Sequence, residues 1–362
     1  MTHLPPLSDE QEAVADQIDA FLRARRPERT YFVYDGLAGT GKSVLLAHLA
    51  TRYRGALLCA PTGKAASVLS RRTGMPANTV HSAIYNFRGE YVAEDGEKYL
   101  SFAQKIRDGD WRRKIALLDE SSMVDVSLAQ DLLATGCRVV ATGDPGQLPP
   151  VRGTRFFDAP DATLRTVHRQ AWDSAIIRQA HAMRAEGRYA ADGPDFRVQR
   201  HVGRDDILAA DVILCWRNAT RHALNALVRA HKGLDGPPIA GEPVVCLRND
   251  HKVGILNGAT YALLADYDAA RRVARIANER DETVDVEDCR FETLDPPGDP
   301  EDARDEHPFA FGNCLTVHKY QGSEAERGIL VDEYDRHEWR REWMYTGITR
   351  FAKQALVQSN WA

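Results

Sequence analysis

The segment Gly36-Leu37-Ala38-Gly39-Thr40-Gly41-Lys42-Ser43 fits the spacing G-x-x-x-x-G-K-[ST]. The β-branched and aromatic run Thr30–Tyr34 before it reads as a strand, and Lys42–Tyr53 after it as a helix. That is the setting the spacing requires. Glycines let backbone N–H groups wrap a phosphate chain, and the helix N-terminus adds a favourable dipole. Gly36, Gly39, Thr40 and Gly41 line such a cradle. Lys42 is placed to neutralise β- and γ-phosphate charge, and Ser43 to ligate Mg²⁺. The bland alternative is a flexible glycine-rich turn, which the flanking strand and helix disfavour.

Ile115-Ala116-Leu117-Leu118-Asp119-Glu120 supplies the complement. An apolar strand that ends in two carboxylates delivers them to the carboxyl edge of a sheet, where ligands of α/β folds bind. Asp119 suits a Mg²⁺ shell, and Glu120 suits activation of an attacking water. Many apolar strands end in acidic residues, so this pattern gains its weight from the phosphate loop in the same lobe. Ala56–Cys59 and Arg138–Ala141 read as further strands and Ser127–Thr135 as a helix. The alternation implies a parallel sheet with crossover helices. Together these elements describe a nucleoside triphosphatase.

Working outward, the chain of 362 residues is long enough for two or three domains. Its 43% hydrophobic and 27% charged residues are ordinary for a globular protein. No apolar run approaches the roughly 18–20 residues of a membrane span. Met1-Thr2-His3-Leu4-Pro5-Pro6 lacks the basic-then-apolar pattern of a signal peptide. A cytoplasmic protein without a membrane partner is expected. Cys59, Cys137, Cys215, Cys246, Cys289 and Cys314 form no C-x-x-C pair and read as buried free thiols. The net charge of −5 hides an uneven distribution, because Glu279–Glu306 holds 13 acidic and 3 basic residues. That block reads as a solvated loop, and the remainder carries +5. The remainder can hold a local basic groove, which charge alone does not prove.

Tyr85–Arg113 breaks the α/β rhythm. Its Glu94-Asp95-Gly96-Glu97 between aromatic residues signals a β-hairpin. A second α/β unit begins near Ala171, with helix Trp172–Glu186, strand Val212–Cys215 and helix Arg221–His231. Gly241–Glu292 turns strand-like, and the α/β pattern resumes at Asn313–Thr316 and runs through strand Gln354–Gln358.

The remaining motifs carry a resemblance. They are Pro61-Thr62-Gly63-Lys64-Ala65-Ala66, Thr79-Val80-His81-Ser82, Asp119-Glu120-Ser121-Ser122 and Gly143-Asp144-Pro145-Gly146-Gln147-Leu148-Pro149-Pro150-Val151. Val167-His168-Arg169-Gln170, Thr316-Val317-His318-Lys319-Tyr320-Gln321-Gly322-Ser323-Glu324 and Tyr345-Thr346-Gly347-Ile348-Thr349-Arg350 follow. In this order they resemble superfamily 1 helicases, most closely the 5′→3′ branch of Dda, RecD and the Pif helicases, from Gln11 to Arg350. The resemblance implies an α/β fold of two RecA-like P-loop NTPase lobes. A β-hairpin is inserted in the first lobe and a small SH3-like β-barrel in the second. Residues 1–84 and 114–170 then form the ATP-binding lobe around a hairpin at 85–113. Residues 171–238 and 308–362 form the second lobe, around a barrel with its acidic loop at 239–307.

Roles follow from matching position. Gln11 resembles the adenine-reading glutamine, since an amide both donates and accepts. Gln147 resembles the γ-phosphate sensor. Arg169 and Arg350 resemble arginine fingers, from the second lobe or the hinge into it. Glu324 resembles a residue that meets the ribose. Pro61, Thr62, Lys64, Thr79 and His81 resemble first-lobe DNA contacts, and Thr316, His318 and Lys319 second-lobe ones. Hydroxyls, lysines and backbone N–H groups hold phosphates without reading sequence. For His81 and His318 a packing or capping role stands as the alternative. Tyr91, Tyr99 and Phe102 of the hairpin either stack bases or pack on their own lobe. Asn249 and Asn257-Gly258 resemble a family pattern that reads as structural turns.

The resemblance implies an ATP- and Mg²⁺-dependent monomeric helicase. It acts on single-stranded DNA and duplex junctions, with replication or recombination proteins as candidate partners. The N-terminal domain of larger RecD-type proteins is expected to be missing, as are nuclease and relaxase metal clusters. A DNA-stimulated translocase without strand separation, and a non-motor nucleic-acid-binding protein, are the rival readings.

Overall fold

Buried parallel strands read as nearly continuous apolar runs because helices cover both faces of their sheet. Tyr31–Gly36 (β1), Leu57–Ala60 (β2), Ala77–Thr79 (β3), Ile115–Leu118 (β6), Arg138–Gly143 (β7) and Ala162–Leu164 (β8) form such a sheet in the computed structural model. Their order is β3-β2-β6-β7-β1-β8, parallel throughout. The structure describes residues 4–25, 28–92, 98–104, 111–150, 153–190, 193–248, 253–277, 282–291, 307–334 and 338–360; for 86–92, 98–104, 169 and 170 it describes the backbone alone. Two compact units divide the chain between Ala185 and Glu186.

In the first unit, successive strand residues alternate between two cores. Val33, Cys59, Ala116, Leu118 and Val139 face one, and Phe32, Tyr34, Leu58, Leu117 and Val140 face the other. Helices Asp9–Arg23 (α1), Lys42–Arg52 (α2), Gly63–Thr73 (α3), Val80–Ile84 (α4) and Val126–Ala134 (α5) surround the sheet. Ser8 and Gln11 close a capping box at the start of α1, so Val14, Ala15 and Ile18 are presented inward. Tyr85–Val92 (β4) and Lys98–Gln104 (β5) pair antiparallel, from Tyr85 opposite Gln104 to Val92 opposite Lys98. The Asp95-Gly96 turn lies outside the described residues. The helix expected over Trp172–Glu186 is two, Arg169–Trp172 (α6) and Ala175–Glu186 (α7). Asp173 and Ser174 interrupt it, and their short polar side chains compete for local backbone bonds.

The second unit holds another parallel sheet. Phe196–Gln199 (β9), Val212–Cys215 (β10), Cys314–Thr316 (β17), Ala325–Asp332 (β18) and Phe351–Ser359 (β19) lie in the order β17-β10-β18-β19-β9. Helix Arg204–Ala209 (α8) precedes β10, Asn218–His231 (α9) follows it, and Arg340–Ile348 (α10) precedes β19. No side chain of its own N-cap residue closes α9, but Glu333 accepts from the N–H groups of Trp216 and Arg217 at 2.9 and 2.8 Å. A carboxylate at that end satisfies orphan donors and complements the helix dipole.

Between β10 and β17 the chain builds a separate mixed sheet. Pro243–Cys246 (β11), Thr260–Ala262 (β12), Cys289–Phe291 (β15) and His307–Phe311 (β16) lie in the order β12-β11-β16-β15. Ala274–Ala277 (β13) pairs antiparallel with Thr283–Val286 (β14). Val244, Ile255, Tyr261, Phe291 and Phe309 fill its core. Strand β16, which the sequence reading assigns almost wholly to the second lobe, pairs with β11 and belongs here. The acidic run is also not all loop. β14 and β15 lie within it, and Asp285 of β14 is paired with Arg275 of β13 at 2.7 Å. Residues 292–306, and Asn249, fall outside the described residues. Arg229 of α9 reaches Glu242 at 2.9 Å, both buried, just before β11. Losing one partner of such a pair costs about 3–5 kcal/mol, because the other charge stays buried alone.

All six cysteines are buried and free. Among the described residues no helix is long and apolar enough to cross a membrane.

Candidate nucleotide-binding site

Parallel strands put all their carboxyl ends on one edge, so β1, β6 and β7 deliver neighbouring loops to the same place. The loop after β1 is a tight coil. Gly39 and Gly41 hold φ of 85° and 80°, a left-handed backbone that L-residues reach only under strain. A Cβ on Gly41 would lie 2.3 Å from Gln11 Nε2 and 2.7 Å from His168 Nε2, so a side chain is excluded by contact as well. Thr40 Oγ1 donates to Leu37 O at 2.9 Å and fixes the turn. Helix α2 starts at Lys42 with no side-chain cap from Gly41. Such an end leaves backbone N–H groups for an anion.

Lys42 is folded back on its own loop. Its Nζ donates to Gly36 O at 2.6 Å and Leu37 O at 2.9 Å, and lies 3.5 Å from the Asp144 carboxylate. Asp144 follows β7 and is itself fixed by accepting from Gly146 N at 2.9 Å. Asp35, at the end of β1, has a carboxyl raised by burial and by Asp144, against the pull of Thr163 and Lys42.

At the end of β6, Asp119 N donates to Cys59 O, and Glu120 N to Asp119 Oδ1, each at 2.9 Å. Burial first, and the Glu120 charge second, push the Asp119 carboxyl up to about 6, with Arg72 and Lys42 opposing. Glu120 has φ of 52°. A left-handed non-glycine residue costs about 1–2 kcal/mol, and such strain gathers at functional sites. Arg72 Nη1 donates to Ser43 Oγ at 3.0 Å. Ser43 and Asp119 are hard oxygen donors of the kind Mg²⁺ takes. They fit the ion. Gln147 is 4% exposed, and its Oε1 has no hydrogen-bond partner among the described residues. A buried amide oxygen left so costs about 1–3 kcal/mol, which a bound ligand or water would recover.

Gln11, matched to the base-reading position, is bonded on both sides of its amide. Gln11 Oε1 accepts from Ser8 N at 2.9 Å, and its Nε2 donates to Gly41 O at 3.0 Å. Both ends of the amide are in use, and the residue is buried. Val167, Ala171 and Ile177 pack around Gly39, and His181 Nε2 lies 2.9 Å from Ala38 O, so α6 and α7 cover the phosphate loop. Arg169 opens α6 within the first unit; its side chain is outside the described residues.

The residues matched to nucleic-acid contacts fall at the β2–β3 end of the same edge. Thr62 caps α3 by accepting from Ala65 N at 3.2 Å, and Thr79 caps α4 by accepting from Ser82 N at 3.0 Å. Pro61 precedes the first cap, and Lys64 lies in the first turn of α3. His81 stacks near Tyr85, with ring centroids 5.6 Å apart. Burial lowers its pKa, opposed by Asp125 and Asp131. In the second unit, Thr316 Oγ1 accepts from Lys319 N at 3.3 Å, and burial lowers the His318 pKa. Arg350 follows α10 and is buried; it donates to Thr346 O at 3.2 Å and Ser323 O at 3.4 Å, which sets it beside Glu324 in the chain. Sequence reading missed Arg72 and the Lys42–Asp144 pair, since neither follows from spacing.

The AAA domain family model matches residues 12–196, which holds the whole phosphate loop and its carboxylates. The chain belongs to the AAA domain family. A UvrD-like helicase C-terminal domain model matches residues 311–357. Similar to this AAA-domain chain are ATP-dependent RecD2 DNA helicase of Deinococcus radiodurans and ATP-dependent DNA helicase dda of phage T4. The first is 29% identical over 95% of this chain and 48% of its own length. The second is 30% identical over 40% of this chain and 33% of its own. The chain thus spans about half, or less, of these relatives. Bacteroides Pif1 bound to single-stranded DNA shares its fold, with a TM-score of 0.62 at 17% identity over 98% of this chain and 92% of that one. The fold is that of the RecA-like helicases.

Proposed function

We propose that this chain is an ATP-driven motor that moves 5′→3′ on single-stranded DNA and opens duplexes. One observation carries the reading. Lys42, Asp119, Glu120 and Gln147 gather at the carboxyl edge of one parallel sheet, while Thr62 and Thr79 stand at the far end of that edge. RecD2 and Dda are named ATP-dependent DNA helicases, and Pif1 has been solved with ADP-AlF3 and single-stranded DNA.

In this reading Lys42 exchanges the Gly36 and Leu37 carbonyls for the β- and γ-phosphates. Gln11 exchanges Gly41 O for the adenine edge, and Glu324 approaches the ribose. Glu120 takes a proton from the attacking water, and Gln147 orients that water. Mg²⁺, held by Ser43 and Asp119, offsets charge on the phosphoryl oxygens when bound. Arg169 and Arg350 supply planar forks of donors to the same oxygens. Pro61, Thr62, Lys64, Thr79 and His81 grip the strand on the first lobe, and Thr316, His318 and Lys319 on the second. His81 and His318 are lowered in pKa, so they act as neutral hydrogen-bonding groups at neutral pH, not as phosphate counter-charges.

The β4–β5 hairpin serves as the strand-separating pin, and the inserted mixed sheet as the SH3-like barrel. The boundary between the lobes lies at 185/186 instead of the 170/171 expected from sequence, because α6 and α7 pack on the phosphate loop, and the second lobe resumes after β16 instead of at 308. A cytoplasmic monomer is proposed, with replication or recombination proteins as partners.

ATP turnover measured with single-stranded DNA, single-stranded RNA and blunt duplex tests this. Single-stranded DNA is expected to raise kcat at least about tenfold, since arginine fingers brought into place are worth far more than that. Turnover indifferent to DNA would contradict the proposal.

A further inference from the structure

We propose that His181 is a positioning residue of the phosphate loop: by holding Ala38 O from α7 it turns the Gly39 N–H toward the anion. The inference rests on the nucleotide reading above and adds a residue that lies outside the motifs. His181 Nε2 is 2.9 Å from Ala38 O. A carbonyl only accepts, so Nε2 carries the hydrogen and donates. The peptide between Ala38 and Gly39 is trans, and a planar trans peptide points its N–H opposite to its C=O. A bond that draws the carbonyl toward α7 therefore sends the Gly39 N–H the other way. That N–H donates to no acceptor among the described residues.

The next carbonyl is held in the same manner, since Gly39 O accepts from His168 N at 3.0 Å just before α6. Carbonyls drawn toward α6 and α7 do not face the phosphate oxygens they would repel, and successive N–H groups are left for the anion. The other loop carbonyls are held provisionally. Gly36 O and Leu37 O accept from Lys42 Nζ, and Gly41 O from Gln11 Nε2. Lys42 and Gln11 leave those carbonyls when nucleotide arrives. His181 has no second task, so its bond outlasts loading. Its ring is braced for this by an edge contact with Trp172, with centroids 5.6 Å apart at 76°. Arg178 of α7 closes the break after α6 by donating to Trp172 O and Asp173 O, each at 2.8 Å.

Two substitutions separate a hydrogen-bond donor from a packing ring. His181→Gln keeps an N–H donor of similar reach and loses the ring. His181→Phe keeps a ring beside Trp172 and loses the donor. A fluorescent ADP analogue, mant-ADP, titrated into the full chain with Mg²⁺, is expected to bind His181→Phe about tenfold more weakly, the size of one lost hydrogen bond to a charged group. His181→Gln is expected to stay within about threefold of the unmodified chain. In steady-state hydrolysis the KM for ATP should rise in the same ratio with kcat nearly kept, because a cradle N–H holds ground state and transition state alike. Thermal midpoints without nucleotide should agree across the three chains. Unweakened binding by His181→Phe, or equal loss in both variants, overturns the inference and leaves His181 a packing residue of α7. If mant-ADP does not bind the unmodified chain, the phosphate-site reading falls first, and this inference with it.

Discussion

The Arg350→Ala chain is expected to lose about 10³-fold in DNA-stimulated kcat for ATP, with nucleotide affinity changed only a few-fold. The size follows from the task assigned to the side chain. Charge on the phosphoryl oxygens grows toward the transition state, so a donor fork that meets it there raises kcat and leaves ground-state binding nearly alone. The structure adds a constraint. Arg350 is 7% exposed and donates to Thr346 O and Ser323 O, so its removal loses two buried hydrogen bonds at about 1 kcal/mol each, although Thr346 O keeps Thr349 Oγ1 as a donor. Some thermal destabilisation accompanies the substitution. Arg350→Lys separates the two effects, because it keeps the charge and loses the planar fork. It is expected to fold with a smaller penalty and still turn over about 10²-fold slower. Single-turnover hydrolysis beside equilibrium binding of mant-ADP reads both numbers. A lysine variant at full rate would remove Arg350 from the reacting site.

Glu120→Gln is expected to lower turnover by about 10²–10⁴-fold while ATP stays bound. Glutamine matches the shape and cannot take a proton from water. The same substitution should raise the thermal midpoint, because it ends the repulsion between Glu120 and Asp119. Glu120→Gly goes further. It relieves the φ of 52° and should add about 1 kcal/mol of stability to an inactive chain. Scanning calorimetry with hydrolysis assays checks both. Stability unchanged in both variants would mean that no strain is held at Glu120.

How much of this is readable from sequence depends on distance along the chain. The phosphate loop is legible because its glycines, Lys42 and Ser43 are contiguous, and a strand and a helix flank them. Asp119 and Glu120 are legible because they end an apolar run. Thr62 and Thr79 stand just before helices, where a threonine is a ready cap, and the structure uses both so. What was not legible depends on long-range pairing. Arg72 meets Ser43 across 29 residues, and Asp144 meets Lys42 from another strand. β16 joins β11 across the acidic run, which no local pattern announces. Within that run Thr283–Val286 alternates as a strand does, but its acidic neighbours mask the period. The double use of Gln11 needed the position of Gly41 in space.

This ATP site is expected to drive directional movement on DNA. Strand displacement on two partial duplexes, one with a 5′ single-stranded tail and one with a 3′ tail, tests it in the presence of ATP and Mg²⁺. Only the 5′-tailed duplex is expected to open, and Lys42→Ala is expected to abolish opening. Opening from the 3′ tail, or opening that survives Lys42→Ala, would contradict it.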